Sequence, residues 1–535
     1  MSENNSATVI IVGSGIAACQ IAQKLAKQGI DTLMLEAGPR VKRWRVVEDY
    51  RNSPFKGDFQ APYKPTEYAP HPQYSPKDSG YLVQYGPEPY KAGYLRIAGG
   101  TTWHWSAQAW RLLPNDMKLQ TLYGVGRDWP IGYDDLEPYY YEAEVEMGVG
   151  GPVDTGSPRS KPYPQPELPL SHFDMHFKKV VEPAGYYHIT EPAARNTVAF
   201  DGRPACCGNS NCMPICPIEA QYTGETALRK AEAAGARLKT EAVVYQIEHD
   251  ETGKISAVHY KDPNGNSSRV TGKIFVLAAN AIETPKLMLI SKSEKFKNGI
   301  GNEYDNVGRN LMDHPGTSCT FLSAEPVWPG RGPMRLSCIN NLRDGEFRTT
   351  HSAIKINVGN YSPVQAVSTK LLNMGVSGSE LPEMIRDWAS RWVVINSFFD
   401  ILPNRENRIV ATGKKDKLGI PQPGVHYQID DYIHKARDVA HEHYSRIANL
   451  FNAKPNEIWH DDNYFNNNHI MGTLMMGNDP RDSVVDADLR TFDHENLFVA
   501  SSGVMASAGT VNCTLTLSAL AMRLADKLVE EARHV

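Results

Sequence analysis

The segment from Ala7 to Glu36 limits the folds open to this chain more than any other. Ala7-Thr-Val-Ile-Ile-Val12 is an apolar, β-branched run with the composition of a buried strand, and Gly13-Ser-Gly15-Ile-Ala-Ala18 follows it directly. From Ile16 to Gln28 the apolar residues Ile16, Ile21, Ala22 and Leu25 recur near helical spacing, Gly29 supplies a stop, and Asp31 to Leu35 reads as a second strand ending at Glu36. Strand, glycine turn, helix, strand and terminal acid in this order read as a βαβ nucleotide-binding unit. Gly13 permits the tight turn, Gly15 lets backbone approach a pyrophosphate, Ala18 keeps helix and sheet close, and the helix N-terminus offers N–H groups to the anion. Glu36 stands where an acid takes a ribose hydroxyl. The unit does not choose between NAD and FAD, and an ordinary βαβ unit without nucleotide is the plain alternative.

At 535 residues the chain exceeds one ordinary core and predicts two or more lobes. A net charge of −5 gives no electrostatic case for nucleic acid. No apolar run approaches the roughly 18 residues of a membrane span, so membrane association is expected only through a partner. Met1-Ser-Glu-Asn-Asn-Ser6 lacks the basic region and apolar core of a secretory signal. Pro54 to Tyr94, dense in Pro, Tyr and Gly, has no period and predicts a functional arm or a surface wrap.

Gly99-Gly-Thr-Thr-Trp-His-Trp105 sets small residues beside large aromatics. Gly99 and Gly100 allow backbone amides near a ligand, and Thr101 and Thr102 add hydroxyls. A packed turn with satisfied indoles is the competing reading.

The segments Gly13-Ser-Gly15, Gly99-Gly-Thr-Thr102, Asn280-Ala-Ile-Glu-Thr-Pro-Lys286 and Asn466 to Asn512, taken in order, resemble the glucose–methanol–choline (GMC) oxidoreductases. The resemblance runs from end to end. It implies an α/β fold with a Rossmann-like FAD-binding domain and a substrate domain built on a large, mostly antiparallel sheet. The FAD domain would be discontinuous, over 1–150, 231–315 and 465–535, with 151–230 and 316–464 forming the substrate domain. It implies FAD, not NAD, with Val243 near the adenine.

Cys206-Cys-Gly-Asn-Ser-Asn-Cys212-Met-Pro-Ile-Cys216-Pro217 clusters four of the eight cysteines, ending like one end of a bacterial ferredoxin loop. Thiolates suit iron–sulfur clusters and zinc alike, but separated zinc knuckles and nearby histidines are missing. Side chains at adjacent Cys206 and Cys207 diverge, which leaves Cys206, Cys212 and Cys216 and a [3Fe-4S] cluster as the simplest fit. Two local disulfides are the alternative. Most GMC relatives lack such a loop. The combination resembles the large catalytic subunits of bacterial membrane-bound FAD sugar, polyol and sugar-acid dehydrogenases. That likeness implies a small signal-bearing subunit, a cytochrome c membrane subunit as electron acceptor, and the periplasmic face of the cytoplasmic membrane, reached by co-export. Residence in the cytoplasm is the alternative.

Asn466-Asn-Asn-His469-Ile-Met-Gly472 places a histidine among amides. An imidazole is suited to take a proton near neutral pH, and the matching family histidine faces the flavin, so His469 is expected to be the base. The family's second catalytic position is His or Asn; here it is Asn512, whose amide can donate to a developing alkoxide. Asn468 is expected to orient a sugar. His104 follows the glycine pair as in relatives with covalent flavin. His314, in Asp313-His-Pro315, reads as a residue bracing a turn. Arg331 and Arg335, on a Gly/Pro-rich loop, could clamp a substrate carboxylate. The reading is an FAD dehydrogenase of a sugar, polyol or sugar acid, with hydride passing to flavin N5 and electrons leaving through the cluster. Its rivals are an oxygen-using oxidase with structural cysteines, a non-catalytic FAD subunit and, on the opening motif alone, a nicotinamide enzyme.

Overall fold

A computed structural model describes residues 5–54, 56, 60–73 and 78–534. Two sheets organise it. The first contains five strands in the order Leu497–Val499, Ile274–Leu277, Val9–Val12, Thr32–Leu35 and Arg237–Lys239, every neighbouring pair parallel. Val9–Val12, Thr32–Leu35 and Ile274–Leu277 are buried at every residue, as a parallel sheet covered on both faces requires.

The chain moves from Val9–Val12 to Thr32–Leu35 on one side and later adds Ile274–Leu277 on the other. This reversal opens a crevice at the carboxyl ends of the strands, the usual ligand position in such a sheet. The first helix, Ile16–Lys27, begins directly after Gly15 and packs against Gly224–Ala233 and the last helix, Thr514–Ala532. Leu520, Ala521, Leu524 and Leu528 of that last helix are buried, as their shared face predicts.

The second sheet is antiparallel throughout, in the order Ile458–Asn466, Pro315–Leu322, Trp392–Phe399, Ile354–Gly359, Arg335–Ile339 and His188–Thr190. Trp392–Phe399 is central, as its apolar run predicts. Two observations sharpen the sequence reading. The expected lobe boundary at 465 falls inside an edge strand, because pairing with Pro315–Leu322 continues to Pro315 opposite Asn466. Arg335 opens a strand and is not in the loop expected of it.

One continuous apolar core joins the two sheets. Across the junction, fully buried Arg348 holds Asp116 at 2.9 Å and Asp400 at 2.7 Å, which fixes the end of the central strand. Of the arm from Pro54 to Tyr94, Phe55, residues 57–59 and 74–77 lie outside the described residues; Val83–Gln84 adds a short strand beside Pro421–His426. Among the described residues no helix is long and apolar enough to cross a membrane.

Candidate active site

The carboxyl ends of the parallel strands open into one cavity of about 410 Å³. Gly13 and Ser14 line it after the first strand, Glu36 after the second, Ala278 to Asn280 after Ile274–Leu277, and Ala500 to Ser502 after Leu497–Val499. The Gly13 backbone has φ +110°, and a methyl group there would lie 2.7 Å from the Ala278 carbonyl. At Gly15 a methyl would meet nothing within 4 Å, so this glycine leaves its space to the cavity. That is the arrangement expected where a pyrophosphate passes a helix N-terminus.

Glu36 is buried at the end of its strand. Its carboxylate accepts from the Ser14 amide (3.1 Å), the Ser14 hydroxyl (2.7 Å) and the Gly38 amide (3.0 Å). Burial raises its pKa, and the Gly38 and Ser14 hydrogen bonds oppose that rise. The acid therefore ties two loops together before any ribose is considered.

Gly100, Thr101, Thr102 and His104 also line the cavity. The segment forms a short 3-10 turn, Gly100–Trp103. Thr101 Oγ1 accepts the Leu95 amide (3.1 Å) and Thr102 Oγ1 accepts the Gly224 amide (2.8 Å), leaving each hydroxyl proton available. Trp103 and Trp105 donate their indole N–H groups to the carbonyls of Ala98 and Tyr222, both at 2.8 Å. The indoles are thus satisfied, as the competing expectation has it, while the glycine and threonines of the same segment line the cavity. His104 is buried, with Nε2 lacking any partner among the described residues, and burial lowers its pKa to about 4.

Three of the predicted cofactor residues do not line the cavity, although Ala18 keeps its expected packing role. Ala18 is fully buried in the helix–sheet contact and does not line the cavity. Gly99, at φ +93°, lies behind the lining, where a methyl would be 2.8 Å from the Glu225 amide; it gives the turn its shape. Val243 faces an apolar cluster with Ala69, Leu418 and Ile420, and its neighbours Ala242 and Val244 line the cavity instead. Side chains alternate along a strand, so a shift of one residue exchanges the two faces.

His469 and Asn512 line the same cavity and touch each other. His469 Nε2 is 2.9 Å from the Asn512 amide nitrogen, and His469 Nδ1 is 2.7 Å from Nδ1 of His314. His314 Nε2 in turn lies 2.7 Å from the Gly509 carbonyl oxygen. A carbonyl only accepts, so His314 donates from Nε2, and in the neutral ring its Nδ1 is bare. That nitrogen accepts the Nδ1 proton of His469, which leaves Nε2 of His469 unprotonated, accepting from Asn512. The chain of bonds selects one tautomer for His469 and aims its lone pair toward the cavity.

Both rings are neutral near pH 7. Burial lowers His314 to about 4. His469 is lowered well below its ordinary value by burial, then by His314, Lys355 and Arg335. Lys355 is buried and paired with Glu191 at 2.5 Å. Asp313 holds the pair from below, accepting the His469 amide (2.9 Å), the His314 amide (2.6 Å) and the Tyr90 hydroxyl (3.0 Å). His314 was expected only to brace a turn; it orients the predicted base. The adjacent acid and histidine in Asp313-His314 were the available signal.

Asn512 differs in detail from its expected role. Its amide nitrogen is engaged by His469 and, at 3.3 Å, by Gln108 Oε1, while its Oδ1 is buried without a partner among the described residues. Asn468 lines the cavity, but its Oδ1 accepts the Gly93 amide at 2.7 Å, so part of the side chain anchors the Pro54–Tyr94 arm. Arg331 is exposed and outside the lining, whereas Arg335 is in it.

No disulfide joins any of the eight cysteines. Cys212 and Cys216 are buried, Cys206 is half-buried and Cys207 is exposed. The Cys206 pKa is raised by burial; the Gly208 amide and Arg195 oppose this, and Cys212 and Cys216 add to it. Cys212 and Cys216 are thus close enough to act on the Cys206 thiol. Among the described residues no three Cys, His, Asp or Glu groups converge on a point that would hold a single ion. Met213, inside the loop, lines the cavity, and Gln221 Nε2 donates to the carbonyls of Trp105 (2.7 Å) and Cys212 (3.3 Å).

Two family models, both described as GMC oxidoreductase, match residues 188–316 and 403–521. The chain belongs to the GMC oxidoreductase family and is an FAD-dependent oxidoreductase acting on CH–OH donors. It is 45% identical to the fructose dehydrogenase large subunit of Gluconobacter japonicus over 545 residues, covering 100% of this chain and 99% of that one. It is 27% identical to 2-methyl-1,2-propanediol dehydrogenase of Mycolicibacterium austroafricanum, covering 97% and 94%. In fold it is similar to the crystal structure of pyridoxine 4-oxidase from Mesorbium loti, with a TM-score of 0.67 at 17% identity, covering 97% and 99%.

Proposed function

We propose that this chain is the catalytic large subunit of a dehydrogenase that oxidises a hydroxyl of a sugar, polyol or sugar acid. The observation that carries the reading is the His314–His469–Asn512 chain, which leaves one unprotonated imidazole nitrogen facing the cavity. Similarity to the fructose dehydrogenase large subunit supports a carbohydrate substrate.

The residues along the cavity fit FAD. The open space at Gly15, the helix that starts there, and Glu36 would hold the pyrophosphate and ribose end; Gly100 to Thr102 and the turn before Thr514–Ala532 would hold the rest. Bound FAD supplies the hydride acceptor. His469 Nε2 takes the hydroxyl proton, and Asn512 donates an amide N–H to the same oxygen as charge develops on it. The hydroxyl replaces their direct bond. His469, buried and near two cations, holds the acquired proton weakly and returns to its neutral form. Asn468 contributes its remaining amide N–H groups to substrate orientation. His104, with its unpartnered ring nitrogen against the cavity, is the residue for a covalent flavin linkage.

Cys206, Cys212 and Cys216 would hold a [3Fe-4S] cluster, each thiolate on a different iron, which does not require convergence on one point. Arg195 supports this fit. It is 1% exposed, with Nε and Nη1 unpartnered among the described residues, while Nη2 donates to the Ser106 carbonyl at 2.9 Å. A buried cation with idle donors beside Cys206 suits an anionic cluster. The cluster would provide a one-electron exit toward a cytochrome c membrane subunit. A small signal-bearing subunit would carry the folded chain to the periplasmic face of the cytoplasmic membrane.

Dye-coupled assays on glucose, fructose, sorbitol, gluconate and 2-ketogluconate, with iron analysis, test this reading. Substrate-dependent dye reduction by iron-containing protein is expected. Equal turnover with oxygen in iron-free protein would establish an oxidase instead.

A further inference from the structure

Among the described residues, every charged side chain that lines the cavity has a hydrogen-bond or ion-pair partner, with one exception. Glu36 is held by Ser14 and Gly38. Lys286 lies 2.5 Å from Glu283, and Arg96 shares the Tyr81 hydroxyl with that acid. Arg335 has no such partner. Among the described residues its guanidinium makes no ion pair and no hydrogen bond; it lies 5.8 Å from the ring centroid of Tyr361.

The sheet places this cation among idle amides. Arg335 is opposite Gly359, Asn357 is opposite Asn396, and Lys355 is opposite Phe398. Residues two apart on a strand share a face, so Arg335, Asn357, Asn396 and Phe398 lie on the same side, and both Arg335 and Phe398 line the cavity. Asn357 is 1% exposed, with both its amide nitrogen and its oxygen unpartnered, and Asn396 Oδ1 is buried and unpartnered as well. Gly359 shapes the same corner: a Cβ there would lie 2.6 Å from the Tyr361 ring that carries Arg335. Lys355, on this face too, is already taken by Glu191.

A planar guanidinium without an acid, facing the cavity that His469 and Asn512 also line, matches a ligand that carries a planar anion. A neutral sugar would leave the cation unpaired. We propose that the substrate is a carbohydrate bearing a carboxylate, an aldonic or keto-aldonic acid, with the carboxylate on Arg335. The assignment rests on the dehydrogenase reading above. It makes Arg335 the residue that separates sugar acids from the neutral sugars of the same size.

The test is dye-coupled kinetics of the flavin-loaded holoenzyme, as wild type, Arg335→Met and Arg335→Lys. The substrates are the matched pairs gluconate and glucose, and 2-ketogluconate and fructose, with glucose 6-phosphate as a second anion. Wild type is expected to favour the acid of a pair by at least about tenfold in kcat/KM. Arg335→Met is expected to reduce the acid-to-neutral ratio by about 10- to 100-fold, chiefly through KM, with Arg335→Lys keeping part of it. A wild type that prefers the neutral sugars, with a ratio unmoved in Arg335→Met, overturns the inference and leaves the dehydrogenase reading intact. Preference for the phosphate ester overturns the carboxylate assignment. If no compound reduces the dye, the dehydrogenase reading fails, and titration of the flavin absorbance with gluconate decides the anion site. A spectral change in wild type that Arg335→Met lacks keeps the site; no change in either overturns it.

Discussion

His314 and His469 share a hydrogen bond between their Nδ1 atoms, 2.7 Å apart, and this bond decides which nitrogen of His469 is free. Because His314 is anchored on the Gly509 carbonyl, its replacement removes both the acceptor and the orientation of the neighbouring ring. His314→Leu is expected to slow substrate-dependent flavin reduction by at least about tenfold, a part of the about 10²- to 10⁴-fold that a positioned base supplies. His314→Asn, able to donate to Gly509 and accept from His469, should recover some of this loss. Stopped-flow flavin absorbance on flavin-loaded variants checks it; equal rates in all three proteins would contradict it.

The two lowered histidines set the pH response. His469, the proposed base, is held well below its ordinary pKa by burial, so the acid limb of kcat/KM is expected below the ordinary histidine value of 6.5. Removing the nearby cation while keeping its partner uncharged, in Lys355→Met with Glu191→Gln, should move the limb to higher pH, since a positive neighbour disfavours the imidazolium. A limb that stays still or moves down would contradict the geometry.

Stability follows the same sign. His71, His104 and His314 have folded pKa values of about 4 against 6.5 unfolded. Between these values the unfolded chain binds more protons than the folded one, so stability rises with pH and is lost as pH falls from 6.5 toward 4. Denaturant midpoints at intervals across this window measure the slope; a flat or inverted profile would count against the buried, neutral placement of these rings.

Glu36 is expected to govern cofactor retention without affecting substrate choice. Glu36→Ala leaves the Ser14 and Gly38 amides without their acceptor and should lower the flavin content of purified protein, while the fraction still loaded keeps the wild-type substrate ranking. Acid precipitation examines His104 separately: flavin that stays with the pellet in wild type and moves to the supernatant in His104→Ala marks the linkage, and flavin wholly in the wild-type supernatant rejects it.

For the cysteine loop, Cys206→Ser, Cys212→Ser and Cys216→Ser should each lose iron, whereas Cys207→Ser should retain it because that side chain is exposed. Arg195→Met should lower the midpoint potential of the cluster, read by electron paramagnetic resonance titration, since an anion held by a buried cation accepts electrons more readily. Iron retained in all four cysteine variants would remove the cluster from the account.

The parts legible in the sequence were those carried by local periodicity and turn chemistry. Val9 to Glu36 declares itself because strand, glycine turn and helix are contiguous, and the last helix because its leucines keep one face. The placement of Val243 was not legible, because a one-residue step along a strand reverses its direction without altering composition. Nor was the position of His314 beside its partners: His469 and Gly509 are 155 and 195 residues away in the chain, the first brought near by the pairing of Pro315 with Asn466 and the second by the turn before the last helix. Arg331 and Arg335 could be marked together in the sequence as a carboxylate clamp, but only strand pairing separates them, with Arg335 in the cavity lining and Arg331 exposed. Asn357 and Asn396 carry no motif; their idle amides became visible only as a cross-strand pair.

The central claim is that His469 is the base of a hydroxyl oxidation, and anaerobic mixing of substrate with the oxidised, flavin-loaded enzyme tests it most directly. Wild type is expected to bleach its flavin within single turnovers, and His469→Ala, loaded with the same amount of flavin, to bleach about 10²- to 10⁴-fold more slowly. Bleaching at the wild-type rate in His469→Ala would contradict the account.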